Sequence, residues 1–405
     1  MLITPEAIIK IILALVLALV VSFLLTPPVK AFAKKVGAID VPKDDRRVHK
    51  TPIPRLGGLA IFLGFVISVV CFAHINRQIQ GILLGSVVVV IVGVIDDIVT
   101  LRAWQKFLLQ IAAALIAVYH GVVVEVVSNP NVFSAENVWF LGKLSIPLTI
   151  LWIVAVTNAV NLIDGLDGLA VGVSTISAII MLIIAILLSN GNIAIILAAL
   201  AGACIGFMPY NLNPAKIFMG DTGALLLGYL LSTLSIVGLF KFYAIISFFV
   251  PFLVLALPLI DTAFAFFRRL LRGQNPMKPD REHFHHKLLD RGFNQRQAVF
   301  VIYIISGFLG MLAVVITTKG ELRIVFTTIM LVAALVLGIQ VRRGKLLRPE
   351  KSPETETTEP EEDMTEPIET EPIETEPIET EPENPPLEIP PEEDQQTERE
   401  GESNE

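Results

Sequence analysis

Cysteine is almost absent from this chain: Cys71 and Cys204 are the only two among 405 residues. Both lie inside apolar runs, which excludes a disulfide framework and a cysteine-based zinc site. A signal-peptide cleavage pattern is also missing at the N-terminus, where the first apolar run is long enough to persist as a helix. Charge is scarce as well, at 17% of residues against 53% hydrophobic, with a mean hydropathy of +0.67. A soluble globular domain of that composition would expose too much apolar surface. Apolar runs of about 17–25 residues, the length needed to cross a bilayer core, recur instead along most of the sequence.

The net charge of −8 is the sum of two unlike regions. From Glu350 onward, 23 acidic residues face only Lys351 and Arg399, while the preceding residues carry a net charge of +13. The sequence therefore divides into a basic membrane body, residues 1–348, and an acidic tail, 349–405. The tail contains the five-residue repeat "TEPIETEPIETEPIETEPE". Proline and like-charge repulsion prevent it from building a core, so disorder is expected.

The fold expected is all-α and polytopic, with about eleven transmembrane helices. The candidate spans are Ile8–Thr26, Leu56–Ala73, Gly81–Ile95, Phe107–Tyr119, Ile146–Thr157, Leu169–Leu188, Ile193–Met208, Ala224–Leu239, Ala244–Phe267, Ala298–Thr317 and Ile324–Val341. Lysine and arginine concentrate in the loop after the first span and in the loop after the ninth, and are sparse in the opposite loops. Basic loops stay cytoplasmic. The N-terminus is thus expected outside, and the tail in the cytoplasm.

Under this topology the polar motifs gather at one membrane face. They are "GVIDDIVTLRAWQK" with Asp96, Asp97 and Lys106, "NAVNLIDGLDGLA" with Asn158, Asn161, Asp164 and Asp167, and "MPYNLNPAKIFMGDTG" with Asn211 and Asp221. The loops "RRVHKTPIPRLGG" and "NPMKPDREHFHHKLLDRG" join them. Taken singly, each has a bland reading. The acid pair could cap a helix end, the Asn/Asp ladder could glue helices together, Gly220-Asp221 could be a turn, and the histidines could be surface residues. Together these must explain why costly ionisable groups cluster at one face. A shared site explains it more simply. Read as one helix, the ladder steps by about 60° per three residues and would wall a large polar ligand. Carboxylate and amide oxygens suit Mg²⁺, and cationic loops suit phosphate oxygens, so phosphoryl transfer to a lipid phosphate is the expected chemistry.

The four motifs "DDIVTLRAWQK", "NAVNLIDGLDGLA", "NPAKIFMGDTG" and "PDREHFHH" together resemble the polyprenyl-phosphate N-acetylhexosamine-1-phosphate transferases of glycosyltransferase family 4. The resemblance runs from about the first span to the tenth. Within the family, "HKTPIPRLGG" and "REHFHH" look like the branch that uses UDP-N-acetylglucosamine and undecaprenyl phosphate. The branch that uses UDP-MurNAc-pentapeptide typically has three adjacent histidines here, whereas Phe284 separates His283 from His285 and His286.

The resemblance implies attack of the lipid phosphate on the β-phosphorus of the nucleotide sugar, giving undecaprenyl-diphospho-N-acetylglucosamine and UMP, with another UDP-N-acetylhexosamine or UDP-MurNAc-pentapeptide as the alternative donor. That would be the first membrane step of a cell-envelope polysaccharide such as teichoic acid or O-antigen. It implies Mg²⁺, with Mn²⁺ as a substitute, held by Asp221 beside Asn161. Asp96 and Asp97 would stand near the lipid phosphate and Lys106 at a phosphate. Lys50, Asn158, Asp164, Asp167 and Asn211 would line the nucleotide pocket, and Arg281, His283, His285 and His286 would grip the diphosphate or sugar. Expected partners are the bilayer, both substrates and a second copy of the chain, with no nucleic acid.

A phosphate monoester is largely dianionic at neutral pH, so direct attack is favoured over a phospho-aspartate intermediate. Two other classes stand behind a transferase, the secondary transporter as a remote alternative. A secondary transporter would show midplane binding groups in paired repeats, and no matching half-repeat is found. An intramembrane aspartyl protease would carry "GxGD", and "FMGD" lacks the first glycine.

Overall fold

The computed structural model describes residues 3–41, 51–128, 138–239, 249–273 and 284–342. Thirteen helices dominate these residues. In chain order they are α1 (Pro5–Lys35), α2 (Gly58–Phe72), α3 (Arg77–Val99), α4 (Ala103–Tyr119), α5 (Ser145–Leu162), α6 (Leu169–Leu187) and α7 (Gly191–Asn211). α8 (Gly220–Gly238), α9 (Phe249–Val254), α10 (Ala256–Leu271), α11 (Phe284–Asp290), α12 (Gln295–Thr317) and α13 (Gly320–Arg342) complete the set. Two short antiparallel pairs lie in connections: β1 (Ile39–Asp40) with β2 (Ile53–Pro54), and β3 (Val126–Ser128) with β4 (Val138–Phe140). The all-α expectation holds, with these strand pairs as small additions.

Among the described residues, eight helices are long and apolar enough to cross a membrane, and α2 and α4 are shorter apolar helices. The ninth expected span, Ala244–Phe267, is not one rod. Its first residues lie outside the described ones, and the remainder breaks at Leu255 between α9 and α10. Cys204 is buried as expected, whereas Cys71 is exposed on α2. Apolar side chains facing outward, such as Ile8, Ile12 and Val16 on α1 and Ile324, Leu331 and Leu335 on α13, mark lipid-facing surfaces.

α8 is the axis of the bundle. Every residue from Thr222 to Gly238 is buried, with α3 and α5 packed along it. On the far side, α1 lies against α7 at close range. A Cβ at Gly202 or Gly206 would collide with the Leu15 and Leu19 carbonyls of α1, so this small-xxx-small pair sets how near the two backbones come. Successive antiparallel helices bring the C-terminal ends of α3, α5 and α7 to the same end of the bundle as the N-terminal ends of α4, α6 and α8. The polar motifs sit on those ends, where the apolar pattern stops.

Candidate active site

Asp221 lies in the first turn of α8, and two neighbours hold it from either side. Its Oδ2 accepts from Lys106 Nζ of α4 at 2.6 Å, and its Oδ1 from Asn161 Nδ2 of α5 at 2.6 Å. Lys106 is shared, because the same ammonium lies 2.5 Å from Asp96 Oδ2. The other Asp96 oxygen accepts from the Leu101 backbone N–H at 2.6 Å, fixing the turn between α3 and α4. One cation thus joins two carboxylates from different helices.

Asp97 does something different. Its Oδ1 accepts from the Asp221 N–H at 3.0 Å, and its Oδ2 from the Thr222 N–H at 3.0 Å and the Thr222 hydroxyl at 2.6 Å. These backbone donors belong to the first turn of α8, where N–H groups have no partner within the helix and the helix dipole favours an anion. Asp97 caps α8. Gly220, with φ +71°, leaves room for it, since a Cβ there would meet the carboxylate.

The Asn/Asp ladder is not one helix. α5 ends at Leu162, and Gly168, with φ +79°, precedes α6. Glycines 165 and 168 release the chain into a turn that carries Asp164 and Asp167 away from the helix axis. Asn158, expected in the nucleotide pocket, does not line the cavity. Its Nδ2 donates to Gln110 Oε1 at 2.5 Å and to the Val154 carbonyl at 2.8 Å, and Gln110 Nε2 returns a bond of 3.3 Å. The amide pair ties α4 to α5, the helix-gluing role open to a polar residue in a membrane bundle.

Asp167 Oδ2 accepts from Asn213 Nδ2 and from the Ala215 N–H, both at 3.0 Å. Asn213 also donates to Gln295 Oε1 of α12 at 2.7 Å. Tyr303, two turns further along α12, donates its hydroxyl to the Gly168 carbonyl at 2.5 Å. The turn is therefore held from α12 directly by Tyr303 and, through Asn213, by Gln295. Asn211 is buried and donates to the Ile217 carbonyl at 3.1 Å, closing the α7–α8 connection.

These elements surround a cavity of about 370 Å³. Asn161, Asp164, Asp167, Asn211 and Asp221 line it, together with Asp97 and His286. His285 is buried beside Gly165, where a Cβ would come within 2.6 Å of its Nε2. Lys106 reaches the site through Asp221 and Asp96. Lys50, Arg281 and His283 lie outside the described residues. Asp40, Arg55, Gln295 and Asn213 belong to the site or its immediate support and are not among the residues expected from sequence.

The cavity is strongly acidic. Among the described residues no donor reaches the Asp164 carboxylate. Burial first, then the charges of Asp221, Asp97 and Asp167, push its carboxyl up to about 8. Such a cluster of hard oxygens can take up a divalent cation that relieves the repulsion. Asn161 spends its Nδ2 on Asp221 and leaves its Oδ1 available for the same ion.

A family model described as glycosyl transferase family 4 matches residues 79–239. The chain is 39% identical over 339 residues to a Bacillus subtilis strain 168 protein named "Probable undecaprenyl-phosphate N-acetylglucosaminyl 1-phosphate transferase", covering 83% of this chain and 92% of that protein. The chain belongs to glycosyl transferase family 4. A Thermotoga maritima relative named undecaprenyl-phosphate alpha-N-acetylglucosaminyl 1-phosphate transferase is 33% identical over 267 residues, 66% of this chain and 78% of the relative. A Staphylococcus aureus relative named phospho-N-acetylmuramoyl-pentapeptide-transferase is 32% identical over 319 residues, 73% of this chain and 96% of the relative. The stretch matched by the family 4 model spans α3 to α8 and includes Asp96, Asp97, Lys106, Asn161, Asp164, Asp167, Asn211 and Asp221.

Proposed function

We propose that this family 4 enzyme transfers N-acetylglucosamine-1-phosphate from UDP-N-acetylglucosamine to undecaprenyl phosphate, releasing UMP. One observation carries the reading. Asp221, braced by Lys106 and Asn161, opens onto an acid- and amide-lined cavity at the end of the membrane helices, where a lipid phosphate and a soluble nucleotide can meet. The names of the Bacillus and Thermotoga relatives agree with that donor and acceptor. The basic loops of the sequence support a cytoplasmic side for the cavity, where nucleotide sugars are available.

Mg²⁺, with Mn²⁺ as a substitute, fits the donor set. Asp221 and the unspent Asn161 Oδ1 would hold it. No trio of His, Cys, Asp or Glu among the described residues forms a full protein cage. Few protein oxygens, with water and phosphate completing the shell, is how Mg²⁺ is usually bound. The bound cation would supply charge neutralisation that lets two anions approach.

The residues of the chain account for the rest. Lys106 keeps Asp96 and Asp221 in fixed relation and offers positive charge near the incoming lipid phosphate. Asp97, with three donors already on its oxygens, is a poor nucleophile and acts by positioning α8. An oxygen of the lipid phosphate attacks the β-phosphorus, the bond to UMP breaks, and UMP carries away the negative charge. Asp164, Asp167 and Asn211 wall the nucleotide side, with Lys50, Arg281, His283, His285 and His286 completing the grip on diphosphate and sugar. Preorganised charge, rather than a strong base, lowers the barrier.

Purified protein incubated with undecaprenyl phosphate, Mg²⁺ and a panel of UDP-sugars tests the proposal. UMP release is expected with UDP-N-acetylglucosamine and not with UDP-MurNAc-pentapeptide. No UMP release with any UDP-N-acetylhexosamine would overturn it.

A further inference from the structure

Arg55 follows β2 and precedes α2. Its backbone is clamped on both sides: its N–H donates to the Ala38 carbonyl at 2.9 Å, and it forms a bridge with Phe218, next to the start of α8. Its Nε donates to the Asp97 carbonyl at 3.2 Å, one of the last carbonyls of α3, which the helix itself leaves without a partner. That bond holds the side chain against the cavity wall. Arginine has five N–H donors, and the four on the two Nη atoms make no hydrogen bond to the described residues.

Arg55 also makes one long ion pair among the described residues, through Nε rather than through its fork. Its nearest carboxylate oxygen, Asp97 Oδ1, is 3.9 Å from Nε and already belongs to the α8 cap. Lys106, by contrast, is committed to Asp96 and Asp221. Among the described cavity-lining residues, Arg55 is the one permanently charged cation, and its side chain remains 30% exposed.

We infer that Arg55 binds the diphosphate of the nucleotide sugar through its Nη fork, a specificity contact for the reaction proposed above. A planar guanidinium can meet two phosphate oxygens at once, which an ammonium cannot. Anchoring through Nε removes most of the ordering cost before the ligand arrives. The contact also offsets a mismatch of sign. A diphosphate must enter a cavity lined with Asp40, Asp97, Asp164, Asp167 and Asp221, and one fixed cation there discriminates a charged nucleotide from a bare nucleoside.

The inference rests on the proposed reaction, and a binding experiment separates the two. Full-length wild type, Arg55→Lys and Arg55→Gln would be purified, checked for folding by thermal unfolding, and titrated with UDP and with uridine. The wild type is expected to prefer UDP. Both variants should lose UDP affinity about 10- to 100-fold, as loss of one or two charge-assisted bonds implies, with uridine affinity unchanged. If Arg55→Gln does not fold, Arg55→Lys alone decides, since it keeps the charge and loses the fork. An unchanged UDP-to-uridine ratio, or equal loss of both ligands, would overturn the role, as would a wild type that binds neither. In turnover, the KM for UDP-N-acetylglucosamine should rise while that for undecaprenyl phosphate stays within about twofold. A rise confined to the lipid acceptor would overturn the diphosphate assignment. Wild type that binds UDP selectively but releases no UMP would sink the reaction and leave the Arg55 contact standing.

Discussion

Asp97 and Asp221 are bonded side chain to backbone: a carboxylate in the last turn of α3 receives the N–H of Asp221 in the first turn of α8, at 3.0 Å. The acid pair on α3 therefore has two separate tasks, one for each member. Asp97→Asn should lower turnover by about 100-fold, because an amide offers one acceptor oxygen where α8 presents three donors. The lesion acts through Asp221, so the Mg²⁺ concentration for half-maximal activity should rise about 10-fold. Magnesium titration of activity checks this, and an unchanged midpoint would detach Asp97 from Asp221.

Lys106 bridges Asp96 and Asp221, so removing it leaves two carboxylates facing each other. Lys106→Gln should cost about 1–3 kcal/mol of stability, less than a fully buried pair because the lysine keeps 23% exposure. Adding Asp96→Asn should restore much of the stability and none of the activity. Thermal unfolding and UMP release on the same samples separate the two effects.

The Asp164 carboxyl, pushed up to about 8, gives a pH signature. Its folded pKa lies above that of a free aspartate, about 3.9, so the folded state holds the proton more tightly. The resulting stabilisation is complete below about pH 4 and is lost as pH rises through 8. Metal-free wild type should therefore melt lower at pH 9 than at pH 6. In Asp164→Asn that fall should be smaller by about 2 °C or more. Parallel pH dependence in the two proteins would mean that Asp164 is not titrating.

Asn213→Ala should raise the KM for the nucleotide sugar about 10-fold and leave kcat nearly intact. The amide orients Asp167 and relays its position to Gln295, without touching the lipid side. A selective fall in kcat would place Asp167 at the reacting phosphorus instead.

Truncation after Arg348 should leave specific activity within about threefold, as expected for a Glu/Pro-rich repeat without a core-forming pattern. Assays of the shortened protein in detergent check it.

The helices were legible because bilayer length and apolar runs constrain each other, and the clustering of acids at one end followed from loop charge. Finer assignments failed where the deciding partner is remote. Asn158 carries the same sequence signal as Asn161. Only the presence of Gln110 on α4 assigns the first to helix packing, while Asp221 draws the second into the site. Gly165 and Gly168 were visible, yet the three-residue rhythm suggested a continuous helix where they end one. Arg55, Asp40, Asn213 and Gln295 had no spacing to reveal them, since each enters the site through folding contacts of its own segment.

The α12 grip on the Asp164–Gly168 turn bears on how the enzyme can be divided. The family 4 match ends at residue 239, before Gln295 and Tyr303, and begins after Asp40 and Arg55. A fragment cut to those limits would keep Asp96, Asp97 and Asp221 but lose Asp40, Arg55 and the α12 contacts of Gln295 and Tyr303 that brace the turn. Chimeras that exchange α3–α8 between relatives should therefore inherit the phosphoryl chemistry of the inserted half. Their preference for the donor should follow the flanking halves.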